Sequence, residues 1–187
     1  MLELDATPSG AIFSSCNCYR YGLWRRWDFE QPLLLFIGLN PSTADAVTND
    51  PTIRRCIGFA RSWGYGGMMV TNLFAYRATR PQELRQVTDP IGPETDEWIV
   101  RLCQCVVDST WSITTRSITT SHSDTRVMAI WGNAGAWWGR DRTILNLIRP
   151  IIPQLYCLSV TKRGQPAHPL YLPKTLQPKR YSSHHIG

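Results

Sequence analysis

The stretch from Leu33 to Asp50, LLLFIGLNPSTADAVTND, constrains the fold more than any other part of the chain. It opens with an unbroken apolar run, Leu33 to Ile37 with Leu39 just after, set between Pro32 and the Gly38 turn. A run of that kind suits a strand buried on both faces of a sheet. Gly38 permits a tight turn and Pro41 has no N–H for a ladder, so the strand ends there. The polar residues Asn40, Ser42, Thr43 and Asp45 are therefore delivered just past its carboxyl end. In open α/β sheets that edge is where ligands bind.

The rest of the chain repeats the pattern. Asp50-Pro51 reads as a helix start, with a capping carboxylate and proline in the first turn. Ile53, Cys56, Ile57, Ala60 and Trp63 make one helical stripe, which Gly64, Gly66 and Gly67 terminate. Met68 to Thr71, Arg126 to Ile130 and Leu155 to Val160 read as further buried strands. Helices are expected after Pro93-Glu94, with Ile99, Leu102 and Val106 inward, and over Asp141 to Arg149. The alternation predicts a three-layer α/β/α fold around a central four-stranded, mainly parallel sheet. At 187 residues one domain is expected, with residues 1–10 and 174–187 loosely held. The near-tandem SITTR and SITTS within 109–124 reads as a surface insertion.

Charge and cysteine usage narrow the function classes. A net charge of +6 admits a polyanionic partner without requiring one. Tyr19, Tyr21, Trp24 and Trp27 alternate with Arg20, Arg25 and Arg26. Such a run can stack single-stranded bases, though an edge strand pair packing its rings on the sheet is the plainer reading. Neither Cys16-x-Cys18 nor Cys103-x-Cys105 has structural-zinc spacing, so no metal and no cofactor is expected. Met1 to Gly10 has no apolar leader and nothing reaches the about 18 apolar residues of a membrane helix. A cytoplasmic protein with reduced thiols, no membrane partner and an open oligomeric state is the expectation.

The main geometric inference follows from topology. Asn40, Asn72, the Trp131-Gly132-Asn133 segment and His168 each fall just past a different strand. In a parallel sheet those ends share one edge, so the four converge on one cleft. Taken singly, each has a plain reading. An asparagine after a strand serves a turn, Asp45 and Asp50 cap, His168 caps a loop, and Trp131 belongs to the core.

These same residues carry a resemblance. Gly38-Leu39-Asn40-Pro41, Val70-Thr71-Asn72, Ala129-Ile130-Trp131-Gly132-Asn133 and Ala167-His168-Pro169 resemble, in order, the motifs of the uracil-DNA glycosylase-like superfamily. The blocks Asn40 to Asp45, Asp50 to Cys56 and Asn72 to Phe74 also resemble DUF1643, a family of bacterial proteins. Two departures stand out: Leu170-Tyr171 follows His168-Pro169 in place of Ser-Pro, and no aromatic residue follows Pro41.

The resemblance implies a glycosylase-like hydrolase that cleaves the N-glycosidic bond of a modified nucleobase in DNA or a nucleotide. Its expected catalytic residues are Asn40, His168 and Asp45, with Gly38, Pro41, Ser42, Asn72, Trp131 and Asn133 binding substrate. The chemistry is coherent: an oxocarbenium-like state needs a donor for the departing base, and His168 is the candidate. Asn72 offers both donor and acceptor to a base edge. Asn40 can orient water but not deprotonate it, so Asp45 or Asp50 would have to serve as base. Arg54, Arg55, Arg140 and Arg142 are expected to hold phosphates. The alternative is a non-catalytic nucleic-acid or nucleotide binder on the same fold. A metal-dependent hydrolase is disfavoured, because no His/Asp/Glu cluster has ligand spacing.

Overall fold

A computed structural model describes residues 7–108 and 127–182. The strands are β1 (Ser9–Phe13), β2 (Arg20–Arg26), β3 (Leu33–Gly38), β4 (Gly67–Asn72), β5 (Val127–Ala129), β6 (Tyr156–Cys157) and β7 (Lys179–Arg180). The α-helices among the described residues are α1 (Pro51–Ser62), α2 (Thr95–Asp108) and α3 (Arg140–Ile148). The insertion expected at 109–124 lies outside the described residues.

The sheet runs in the order β1-β2-β4-β3-β5-β6-β7. Its centre is the four strands that the apolar runs predict, β4, β3, β5 and β6, mutually parallel. Three antiparallel strands flank them, so the sheet has seven strands, not four. The reason is the edges. A parallel core leaves unpaired N–H and C=O groups on its outer strands, and the chain covers them with its own terminal segments. The β1–β2 hairpin covers β4, turning through Asn17 at φ 57°. This is the strand pair that the aromatic–arginine run offered as its plainer reading.

On the far side β7 pairs with β6, and Tyr181 is buried with its ring edge-on to Trp131. The described part of the tail is thus fastened to the sheet through Lys179, Arg180 and Tyr181. At the other end, the ring of Trp24 lies over Gly10 and its indole N–H donates to Thr7, so that segment is held from Thr7 onward.

Side-chain alternation along β3 explains its apolar continuity. Leu33, Leu35 and Ile37 face α2 and α3, packing with Ile99, Leu102, Val106, Ile144 and Ile148. Leu34 and Phe36 face the opposite layer with Ile53, Cys56, Phe59, Ala60 and Trp63 of α1. Each of these five strand residues is at most 3% exposed, contributing about 1.5–3 kcal/mol apiece by removal from water. Asp50 caps α1 as its sequence requires, accepting from the Ile53 N–H at 2.8 Å. Gly64 follows the helix at φ 80°, where only glycine is unstrained.

Candidate functional site

Strand pairing sets the frame of the carboxyl edge. Gly38 is paired with Asn72 at the ends of β3 and β4. The chains then run on together, with Leu73 N–H bonded to Gly38, Phe74 to Leu39 and Ala78 to Pro41. Ile130 donates to Ile37, so the exit from β5 lies along the other side of β3.

Gly38 has a steric role beyond turning. A Cβ at this position would lie 2.6 Å from Asn72 Nδ2, so the carboxamide of Asn72 rests directly over the glycine. Asn72 is 5% exposed, and its Oδ1 is buried without a hydrogen-bond partner among the described residues. An orphaned buried carbonyl costs about 1–3 kcal/mol, so it calls for an explanation.

Beside it, both amide hydrogens of Asn40 are committed, Nδ2 donating to Pro41 O at 3.0 Å and to Ala78 O at 2.7 Å. This clamps the loops after β3 and β4 together and leaves Asn40 Oδ1 as an acceptor of fixed direction.

His168 enters from the loop beyond β6. It caps a short 3-10 turn, Pro169–Tyr171, where its Nδ1 accepts from the Leu170 N–H at 3.4 Å. That bond assigns the ring proton to Nε2. Burial pushes the imidazole below its ordinary value, opposed by the Asp50 charge, so the ring is neutral at pH 7. Gly132 faces it, 4.0 Å from a Gly132 Cβ to His168 Cβ, with φ 69° and ψ −174°, a region essentially closed to other residues. Arg55 of α1 donates to Pro169 O and Leu172 O, fixing the histidine loop to the helix.

Not every expected site residue joins this group. Asp45 accepts from the N–H groups of Val47 and Thr48, which hold its carboxyl below the usual range, and it caps an exposed turn. Asp50 is a buried carboxylate, 8% exposed, whose charge acts on both Arg20 and His168. Pro41 and Ser42 line the loop after β3, Pro41 through the clamped carbonyl. Trp131 is core, 1% exposed, its indole N–H donating to Gln165 Oε1 at 2.8 Å. Asn133 is exposed and accepts from Thr161 Oγ1.

The four phosphate candidates do not form one track. Arg140 is 3% exposed, paired with Asp96 and bonded to Leu73 O at 2.7 Å, a strut beneath the loop after Asn72. Arg142 is exposed on α3, which packs on the opposite sheet face from α1 with its Arg54 and Arg55. Arg54 is exposed and donates to Asn49 O.

Sequence reasoning missed two arginines of β2 that shape the site. Arg25 donates to Asp45 O at 2.7 Å, Thr48 O at 3.3 Å and Asn49 Oδ1 at 2.9 Å. Arg20, 2% exposed, donates to Ala44 O at 2.8 Å, and burial pulls its guanidinium down to about 10. Together they hold the 42–50 loop from beneath. Their alternation with aromatics resembles an exposed binding stripe, and only the partner carbonyls, far along the chain, tell the two apart.

Among the described residues no group of three or more His, Cys, Asp or Glu is placed to hold a metal ion. No described helix is long and apolar enough to cross a membrane. The arrangement offers a buried carboxamide after β4, a neutral imidazole N–H beyond β6 and a directed amide oxygen after β3.

A family model described as a protein of unknown function, DUF1643, matches residues 20–170, while no curated protein and no solved structure matches the chain. The matched span begins at the buried Arg20 under the 42–50 loop and ends at Leu170, whose N–H fixes His168. The chain belongs to the DUF1643 family.

Proposed function

We propose that this protein is a glycosylase-like hydrolase, on a uracil-DNA glycosylase-like fold, that cleaves the N-glycosidic bond of a modified nucleobase in DNA or a nucleotide. The observation that carries the reading is the Asn72 carboxamide, buried over Gly38 with its Oδ1 unpartnered, at the rim where His168 is held neutral. A nucleobase edge presents donor and acceptor side by side, and a planar carboxamide is its natural complement. The parallel order β4-β3-β5-β6, with a motif residue past each strand, supports the same reading.

The steps follow from the groups present. The base lodges with its edge against Asn72. As the bond from C1′ to the base nitrogen breaks, electrons pass to the base and the sugar becomes oxocarbenium-like. His168 donates from Nε2–H to the base oxygen that gathers this charge, as a neutral donor preorganised by Leu170. Water oriented by Asn40 Oδ1 adds to C1′, and its proton ends on the departing base. Asp50 supplies a negative charge that acts on His168. Asp45, held in its turn, is freed from the role of base.

The test is a screen of deaminated and alkylated oligonucleotides, single and double stranded, and of the matching nucleotides, for free base and abasic sites. Release by the unmutated protein is expected, with His168→Ala and Asn72→Ala lowering kcat/KM by about 10²–10³. Binding without release would support the alternative, a non-catalytic nucleic-acid or nucleotide binder. That reading draws on Asn40, an amide at the position where a carboxylate would serve as base.

A further inference from the structure

Beside the clamped loops lies an open cavity of about 440 Å³ that the catalytic reading does not use. Its walls come from three distant segments: Asn17 and Cys18 in the β1–β2 turn, Ser42 and Thr43 after β3, and Arg77 and Thr79 after β4. It adjoins the site directly, because Ala78, another wall residue, is the one that Asn40 and Pro41 bind.

Its chemistry is one-sided. No acidic residue lines it. Arg77 is half-buried, and of its guanidinium groups only Nη1 has an acceptor among the described residues, Asn17 O at 3.2 Å. Its Nε is buried without a partner, and the guanidinium lies 5.0 Å over the Phe13 ring, which fixes its plane. The hydroxyls of Ser42, Thr43 and Thr79 have no hydrogen-bond partner among the described residues. Arg20, which does not line the cavity, has its charge opposed by Asp50, and its Nε is buried without a partner among the described residues. A guanidinium short of acceptors, in a wall without carboxylates, favours an oxyanion beside it.

We infer that this cavity, built from Arg77, Ser42, Thr43 and Thr79, is a phosphate-binding subsite that holds the phosphate attached to the sugar whose base lodges at Asn72. The fit is chemical: a fixed guanidinium matches two phosphate oxygens, hydroxyls satisfy the rest, and the missing carboxylates remove repulsion. The inference deepens the hydrolase reading and rests on it for the owner of the phosphate. It moves phosphate recognition away from Arg54, Arg55, Arg140 and Arg142.

The test uses the full chain and three probes: inorganic phosphate, thymidine 5′-monophosphate and a short fluorescein-labelled single-stranded oligodeoxynucleotide. Calorimetry serves the first two and anisotropy across a salt series the third. The unmutated protein is expected to bind all three. Arg77→Met is expected to weaken each by about tenfold and to lower the salt slope for the oligonucleotide by about 1. A much tighter oligonucleotide than monophosphate identifies a strand as the source, and equal affinities identify a free nucleotide.

Wild-type phosphate affinity in Arg77→Met would overturn the subsite, as would no phosphate binding by the unmutated protein. Should Arg77→Met fail to fold, the Ser42→Ala, Thr43→Val double variant decides, because it alters only cavity hydroxyls. A severalfold loss supports the subsite, and unchanged affinity overturns it. Base release is scored separately in the unmutated protein. Release with phosphate affinity indifferent to Arg77 sinks the subsite alone. Arg77-dependent phosphate binding without release sinks the hydrolase reading alone.

Discussion

Gly38→Ala puts the central contact of the site under direct strain. Gly38 is an extended residue of β3, so alanine adds no backbone penalty there. What it adds is a methyl group 2.6 Å from Asn72 Nδ2, where ordinary van der Waals contact begins at 3.4 Å. The difference, 3.4 minus 2.6, means that the carboxamide must retreat by about 0.8 Å. The next nearest atoms, Asn72 Cγ and Thr71 O, are 3.8 Å away and need not move. Overpacking of this kind costs about 1–3 kcal/mol, a fall in Tm of about 2–12 °C for a chain of this size. If Asn72 reads the base edge, a displacement near 1 Å costs about 10²-fold in kcat/KM.

The assay pairs thermal unfolding with base release on the substrate that the oligonucleotide screen identifies. Gly58→Ala is the control. That glycine is exposed in α1 with nothing within 4 Å of an added Cβ, so alanine should raise stability by about 0.4–1 kcal/mol and leave release unchanged. A Gly38→Ala protein that melts early yet releases base at the wild-type rate would refute the placement of Asn72 in the site.

Three further outcomes follow from the same geometry. Gly132→Ala should destabilise by about 1–3 kcal/mol, because φ 69° with ψ −174° is nearly closed to alanine, and a wild-type melting curve would contradict that backbone. The imidazole of His168 is held below its ordinary 6.5, so the unfolded chain protonates first on acidification. Stability should therefore be full above pH 6.5 and fall below it, with a shallower fall in His168→Gln, measured as Tm between pH 8 and pH 5. The Ser14 hydroxyl lowers the exposed Cys16 thiol while burial raises Cys56 and Cys103. Mass mapping after brief iodoacetamide treatment near pH 7 should find Cys16 labelled first, and early label on Cys56 or Cys103 would contradict the packing.

Much of this protein is determined locally. The unbroken apolar run Leu33 to Ile37 has only one stable setting, a strand covered on both faces, and Asp50-Pro51 can do little but start a helix. Those local preferences are enough to expect four parallel strands, and the tertiary structure sets their order, β4-β3-β5-β6. What a side chain does once there is a different matter, because it depends on partners far away in sequence. Asp45 and Asp50 look alike in the chain, yet one closes an exposed turn while the other is buried beside Arg20 and His168.

Arg20 and Arg25 look like a surface stripe until the carbonyls of Ala44, Asp45 and Thr48 fold over them. The edge strand β7 escapes notice for a related reason: it is held by ladder bonds to a strand already formed, not by its own apolar pattern. Periodicity reports burial, and so it sets the layers. Hydrogen bonds to distant backbone leave no periodic trace, and here they decide which polar groups are struts and which are left without a partner.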